Sequence, residues 1–478
     1  MNMAFLKRRC LLALAVALWL APPGGGAAAD YAVVVSAHTA SDAGWLAVVQ
    51  ALVQKHHGTV LRFTNSVEET LPALRAQFPR YACFVAQPEE ASRELVAAIH
   101  RITRKLNDDP YPDCFWGILT GYDSTNALAI AQQSAPLTIR KVAGATTLAM
   151  DMIEEGVTFD ELVKSKSVRK EKGGPAKEVK GPEDTTAALV NTLNAGQPDL
   201  FVASGHASEH NWRLGYTYAN GYFKHQGGQL FGEDTHQRKF PVRSPNPKVF
   251  MPVGNCLTGH ITGPDCMATA WMNSAGVCQM LGYTVTSWYG YGGWGVLDYF
   301  VEQPGRYSFN EAFLANQVAL IYRLKTYFPE LLDQVPDDQL PVVVGAAAQA
   351  AGLTAEDARG LVYDRDVVAF YGDPAWEARM ADRPKYFEQT LAENQGTFTF
   401  EIKPNRGADS FKPVNANGSQ RGGRPFIAFF PKRLGAVKII EGTDLNPVIT
   451  DNFILVPNPR NCDPSKEYRV VFLAKPIR

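Results

Sequence analysis

Leu200-Phe-Val-Ala-Ser-Gly-His206 is a short apolar run that stops at a glycine and a histidine. Leu200–Ala203 reads as a strand buried on both faces, followed by a turn that delivers His206 at its carboxyl end. The same form recurs in Val249-Phe-Met-Pro-Val-Gly-Asn-Cys256, where a strand over Val249–Val253 ends in Gly254, Asn255 and Cys256. Two such strands, if parallel and adjacent, set a histidine and a cysteine side by side above the sheet, where open α/β folds bind their ligands.

The chain upstream supports that architecture. Tyr31–Ser36, Thr59–Thr64, Tyr81–Ala86 and Cys114–Leu119 read as strands. Between them, Trp45–Val53, Val67–Phe78 and Glu89–Leu106 have the helical period, the last with Leu95, Val96, Ile99, Ile102 and Leu106 on one face. Alternating strands and helices predict an α/β fold with a mostly parallel sheet covered on both faces. The lysine-rich stretch 163–184 has almost no apolar surface and reads as a solvated, mobile loop, with a processing site as the functional alternative. Asp184 is then a plausible N-cap for a helix to Asn194, with Gly196 just past its end. After Gly396 the helical pattern gives way to short runs at Thr397–Ile402, Phe426–Phe430, Val437–Ile440, Phe453–Val456 and Tyr468–Leu473, which predict a small, Ig-like antiparallel β-sandwich. The expected organisation is 1–29, a signal peptide; 30–160, an N-terminal α/β subdomain; 161–395, a catalytic α/β subdomain; and 396–478, the sandwich. No internal repeat shows in the sequence.

The signal peptide rests on Lys7, Arg8 and Arg9, the apolar run Cys10–Ala21 and the small residues Ala27-Ala28-Ala29, with cleavage expected after Ala29 and a secreted or periplasmic product. The apolar run is too short to span a bilayer, so no membrane insertion is expected after cleavage. In the 478-residue chain 46% of residues are hydrophobic and 20% charged, a composition that excludes disordered, collagen-like and polytopic membrane classes. The 47 basic and 48 acidic residues give no positive field for a nucleic acid. Cys83, Cys114, Cys256, Cys266, Cys278 and Cys462 remain after cleavage, too few in a long chain for a disulfide scaffold.

A thiol is a strong nucleophile as thiolate, and a neighbouring imidazole can take its proton and later protonate a leaving amine. Either residue alone at a strand end is more simply an inert thiol or a satisfied polar group. Their coincidence at matched strand ends favours a Cys–His dyad.

These residues also resemble a family. Ser204-Gly-His206-Ala-Ser-Glu-His-Asn-Trp212 is similar to the histidine segment of gingipain-type cysteine peptidases, and Asn255-Cys256-Leu-Thr-Gly259 to their cysteine segment. Cys266-Met-Ala-Thr-Ala-Trp271-Met resembles the helix after the nucleophile, and Tyr371-Gly-Asp-Pro374 the Gly-Asp-Pro turn that closes the catalytic domain. The resemblance, in order along most of residues 30–478, implies a caspase-like α/β/α sandwich and peptide-bond hydrolysis. Cys256 would be the nucleophile and His206 the general base and acid, with an oxyanion hole from the backbone N–H groups of Cys256 and Ala207. Alanine stands at 207 where the family has glycine. The spacing from His206 to Cys256 points to an insertion, placed at Tyr216–Phe240. Substrate choice is implied for the loop Ser287–Gly295, walled by Trp288, Tyr289 and Trp294, with Asp298 nearby and of unknown direction. Proteins or peptides would be the substrates. Such a dyad requires no cofactor and no catalytic metal, and structural calcium stays open.

Three rival readings remain. His206, His210, Cys256 and His260 could hold zinc, provided both i, i+4 pairs are helical. Gly290-Tyr-Gly-Gly-Trp-Gly295 is formally a dinucleotide fingerprint, with Glu311 a poor match for the ribose carboxylate. The third is a catalytically silent peptidase fold used for binding.

Overall fold

In the computed structural model, which describes residues 30–337, 339–415 and 422–477, every residue of Tyr31–Ser36 is buried. A strand with no solvent face needs parallel neighbours and helices on both sides. Twelve strands supply that setting in a single sheet: β1 (Tyr31–Ser36), β2 (Thr59–Phe63), β3 (Tyr81–Val85), β4 (Phe115–Leu119), β5 (Lys141–Ala145), β6 (Glu155–Phe159), β7 (Lys166–Lys170), β8 (Lys177–Lys180), β9 (Leu200–Gly205), β10 (Lys248–Asn255), β11 (Val277–Tyr283) and β12 (Val368–Tyr371). Their order is β2-β1-β3-β4-β12-β11-β10-β9-β5-β6-β7-β8. All pairings are parallel except β12–β11, β7–β8 and β6–β7, so the expected mostly parallel α/β sheet with flanking helices is present. The expected signal peptide, residues 1–29, lies outside the described residues.

The antiparallel β12–β11 contact divides the sheet into two parallel blocks that point in opposite directions. One block runs β2-β1-β3-β4-β12 and the other β6-β5-β9-β10-β11. Numbered within itself, each has the doubly wound order 2-1-3-4-5. The carboxyl ends of the two blocks therefore open at opposite edges of the sheet.

Local capping sets where helices begin. Asp42 accepts the N–H groups of Gly44 and Trp45 and starts the helix Ala43–His56. Ser92 accepts the Leu95 N–H, so the next long helix is Arg93–Thr103 and not Glu89–Leu106; Glu89 and Glu90 stay in the loop before it. The expected helix Val67–Phe78 is a 3-10 turn, Val67–Thr70, followed by the helix Leu71–Gln77. Asp184 takes the Thr186 N–H at 2.9 Å, one residue outside the helix Thr186–Asn191, which continues as a π-turn to Gly196.

The lysine-rich stretch is not a loop. β7 and β8 form an antiparallel hairpin on the edge of the sheet. Lysines serve in such a strand because their stems cover apolar surface while their ammonium groups find partners. Lys170, 5% exposed, donates to the carbonyls of Met150 (2.9 Å) and Asp151 (3.2 Å), and Lys166 pairs with Asp160 at 3.1 Å. The outer strand β8 is exposed throughout, and its lysines discourage pairing with another chain.

Between β9 and β10, the stretch that includes Tyr216–Phe240 holds an antiparallel sheet of Asn211–Arg213, Tyr222–Gln226, Gln229–Glu233 and Lys239–Pro241. At the C-terminus, Phe387–Asn394, Thr397–Pro404, Tyr468–Pro476 and Leu434–Glu441 form one antiparallel sheet, and Phe426–Phe429, Phe453–Val456 and Val448–Ile449 another. Phe400, Ile402, Phe472, Phe426 and Ile454 share the core between them. The strand Phe387–Asn394 lies before the boundary expected at 396. Gln395 (φ 52°) and Gly396 (φ 80°) form a hairpin turn with both central residues left-handed, so Gly396 marks a turn inside the module. The pairing is also not immunoglobulin-like: the last strand lies beside Thr397–Pro404, and Val448–Ile449 beside Phe453–Val456. No helix among the described residues is long and apolar enough to cross a membrane.

Candidate active site

β9 and β10 are adjacent and parallel, with Ser204 opposite Gly254 and Gly205 opposite Asn255. The next residues are His206 and Cys256, which leave neighbouring strand ends about 4.8 Å apart in the strand-to-strand direction. Gly205 has φ 133°, a conformation that favours glycine, and a Cβ there would lie 3.1 Å from the Arg213 carbonyl and from the Trp212 indole nitrogen. Trp212, 1% exposed, donates to the Ser204 carbonyl at 3.3 Å, and the Arg213 N–H donates to the His206 carbonyl at 2.8 Å. The chain thus reverses directly after His206, which explains the tryptophan at that offset.

The His206 imidazole is exposed and stacks on Tyr216, with centroids 4.5 Å apart and planes 16° from parallel. The Tyr216 N–H donates to the Glu161 carbonyl at 2.6 Å. The Glu161 carboxylate accepts from Thr146 Oγ1 (2.7 Å) and the Thr147 N–H (3.1 Å), and burial raises its pKa. Cys256 is half-buried. The Ser287 N–H points at its Sγ from 3.4 Å, while Ser287 Oγ lies 3.5 Å from Sγ and donates to the Gly254 carbonyl at 3.1 Å. Among the described residues no hydrogen bond joins His206 to Cys256; the exposed imidazole needs a side-chain rotation away from Tyr216 to reach the thiol. Catalytic hydrogen bonds commonly tighten only when substrate is bound.

Beyond the cysteine, Leu257 is left-handed at φ 55° and donates to the Val285 carbonyl at 3.0 Å. The Gly259 N–H donates to the Tyr283 carbonyl at 2.9 Å, and Tyr371 Oη to the Gly259 carbonyl at 2.6 Å. Gly259 and Gly282 meet backbone to backbone: a Cβ on Gly282 would sit 2.7 Å from the Gly259 Cα. Asn255, 1% exposed, donates from Nδ2 to the Gly205 carbonyl at 3.3 Å and ties the two strand ends together. The left-handed conformations fall on Gly205 and Leu257, not on Ala207, whose backbone bridges to Trp212.

The residues of the expected substrate loop go to different places. Trp288 is 73% exposed, immediately after Ser287. Trp294 lies over the strand end, since a Cβ on Gly254 would be 3.3 Å from its Cζ2. Tyr289 turns away, packing on Gly360 and lying 5.6 Å from the Tyr363 ring. Asp298 is 4% exposed and pairs with Arg424 at 2.9 Å, so it faces the C-terminal module and not this site. Sequence reasoning named neither Ser287 nor Asn255 as individual site residues, and took Tyr216 only as the start of an insertion.

The zinc set does not assemble. His206 stacks on Tyr216, while the exposed His210 lies beside the His225 ring at 5.9 Å. Its i, i+4 spacing required helices, but both segments leave strands. Among the described residues, the group of potential metal ligands that does converge is Asp109, Asp113 and Asp451. Arg433 pairs with Asp451, Asn107 Nδ2 bridges Asp109 (3.3 Å) and Asp451 (3.1 Å), and Asp113 accepts from the N–H groups of Leu106 (3.1 Å) and Asn107 (3.3 Å). The glycines of 290–295 serve packing: the helix Tyr291–Phe300 presses Gly293 onto the Val253 backbone and Gly295 onto Asn316, while Glu311 caps the helix Phe309–Tyr327 with Ser308. Asp373 of the Gly-Asp-Pro turn is structural. Its buried carboxylate accepts from Tyr31 Oη (2.7 Å) and Lys55 Nζ (2.9 Å) and bonds His56 Nε2 (2.7 Å), stitching the end of β12 to β1 and the first long helix.

No family model matches this chain, and no curated protein matches it. Among solved structures, the crystal structure of the Arg specific cysteine proteinase gingipain R aligns over 92% of this chain and 93% of that one, at 12% identity and a TM-score of 0.44.

Proposed function

We propose that the protein is an exported cysteine endopeptidase in which Cys256 attacks the scissile carbonyl carbon and His206 moves the protons. The observation that supports this reading most is the register of β9 and β10, in which Gly205 lies opposite Asn255, so that His206 and Cys256 are the next residues on two neighbouring strand ends. In the proposed cycle, His206 takes the thiol proton as the sulfur–carbon bond forms, then donates it to the departing amine, leaving a thioacyl enzyme. Water, deprotonated by His206, hydrolyses that intermediate and returns the thiol. The backbone N–H groups of Cys256 and Ala207 are assigned to the oxyanion. Trp288 and Trp294 are assigned to the substrate side chain; Tyr289 is a wall residue at most indirectly, through the loop it anchors. The cycle calls for no cofactor and no metal. Substrates are proteins or peptides, and export follows from the expected signal peptide.

The other cysteines are poor rivals for the role. Burial first of all pushes up the thiols of Cys83, Cys114, Cys266 and Cys278, to about 12 for Cys114 and about 11 for Cys278. A peptidyl acyloxymethyl ketone should therefore label Cys256 and leave those four untouched, as read by peptide mass mapping. Labelling confined to another cysteine would contradict the reading.

A further inference from the structure

The N-terminal block has its own crevice. Where its strand order reverses, between β1 and β3, the carboxyl ends of β1, β2 and β3 enclose a cavity of about 430 Å³. This is the place where doubly wound sheets bind ligands, and the volume suits a small molecule. It opens at the sheet edge opposite to Cys256, about 22 Å away along the sheet at between four and five strand spacings. The residues after β3, Ala86 and Gln87, offer no nucleophile; the Thr120 hydroxyl after β4 lies outside the cavity lining, and the Ser36 hydroxyl within it is committed to Glu90. The block repeats the topology of the catalytic one without its chemistry, which leaves binding.

The lining decides what could bind. The floor is apolar, with Val34, Phe63, Phe84 and Leu95 among its residues. The polar groups include the carboxylates of Glu68, Glu89, Glu90 and Glu94 against the single guanidinium of Arg101. Glu68 is partly engaged by Arg101 at 3.7 Å, and Glu94 by Arg93 at 3.0 Å. Glu90 is held in place across the crevice. Buried Ser36, at the end of β1, donates to both of its oxygens (2.8 and 2.9 Å), and buried Thr39 donates at 2.6 Å. Fixed donors from the far wall pre-organise that carboxylate for a charge-assisted partner. An anion would meet net negative charge. These carboxylates are not among the groups whose oxygens converge within 4.8 Å, so a bare metal ion is not favoured.

We propose that this cavity binds a small organic cation with an aliphatic arm, an alkylguanidinium or alkylammonium, its head on Glu90 and Glu89 and its arm on the apolar floor. The site is independent of the peptidase reading. Isothermal titration of the full chain with n-butylguanidinium, against its neutral isostere n-butylurea, tests it directly. Binding is expected below about 10 mM for the cation and not for the urea. Glu90→Gln should weaken binding about tenfold or more and the exposed Glu89→Gln by a smaller factor, with thermal melts confirming that both variants fold. Cys256→Ala and His206→Ala should bind as wild type does. An end-blocked Gly-Arg-Gly peptide separates the two sources of the cation: binding as tight as butylguanidinium indicates a peptide side chain, and weaker binding a free small molecule. Equal binding of the urea, wild-type affinity in both folded Glu variants, no binding of the cation, or loss of binding in Cys256→Ala would each overturn the proposal.

Discussion

Tyr216 lies in the segment between β9 and β10 and stacks on the His206 imidazole. The stack and the hydrogen bond from the Tyr216 N–H to Glu161 fix a ring that otherwise faces solvent. Because the imidazole must leave this stack to reach the thiol, replacing Tyr216 by Ala should speed modification of Cys256 by up to about tenfold, whereas Phe, which keeps the stack, should leave the rate near wild type, as measured by labelling kinetics. Equal rates in all three proteins would show that the stack has no part in catalysis. His206 and Cys256 were legible as residues because each follows a short apolar run and a glycine. Their partners were not legible. Ser287 reaches Cys256 only because β11 lies beside β10, and Tyr216 reaches His206 only through the fold of the segment between β9 and β10; neither relation has a spacing that sequence can show.

At the scale of elements, the loop after Cys256 is held by a contact with no side chains in it. Gly259 and Gly282 touch backbone to backbone, so Gly259→Ala must push the loop off β11. The expected cost is about 1–3 kcal/mol, as for overpacking elsewhere, seen as a lower melting temperature together with slower labelling of Cys256. Unchanged stability and labelling would contradict the close contact. Strand and helix alternation was readable from period alone, and element ends moved where a cap such as Ser92 decided them. The lysine-rich hairpin was misread because composition argues for solvent, while Lys170 satisfies its ammonium on two backbone carbonyls. If this segment is a self-processing site, cuts belong in the exposed turn between β7 and β8, and mass spectrometry of aged protein should find them in wild type and not in Cys256→Ala.

For the whole molecule, the N-terminal block carries buried charge at both ends of β12. Burial by itself would raise Asp373, but the bond with His56 and the Lys55 charge outweigh it and hold the carboxyl at about 2. Asp366 is likewise held at about 2, because Arg104 and Arg365 outweigh its burial. Both values lie below that of an unfolded chain, near 3.9, so the stabilisation is complete above about pH 4 and is lost as pH falls toward 2. Each carboxylate is worth about 2.5 kcal/mol on that scale. Asp113 works in the opposite sense: burial, with the charges of Asp109 and Asp451, pushes it up to about 8, so its contribution falls between about pH 4 and 8 and leaves the acid window clean. Urea unfolding from pH 4 to 2 should show a steep acid limb that flattens in Asp373→Asn; an unchanged slope would show that this ion pair does not carry the acid stability. The doubling of the 2-1-3-4-5 order escaped the sequence because topology repeats here without residues repeating, and β12 arrives from beyond the second block.

The most direct test of the central claim is the rate at which a peptidyl acyloxymethyl ketone modifies Cys256, compared between wild type and His206→Ala with each protein shown to be folded. A Cys–His dyad requires selective modification of Cys256 in wild type and a fall of about a hundredfold or more in the variant. Equal rates in the two proteins, or no modification of Cys256 across a broad peptide panel, would contradict it.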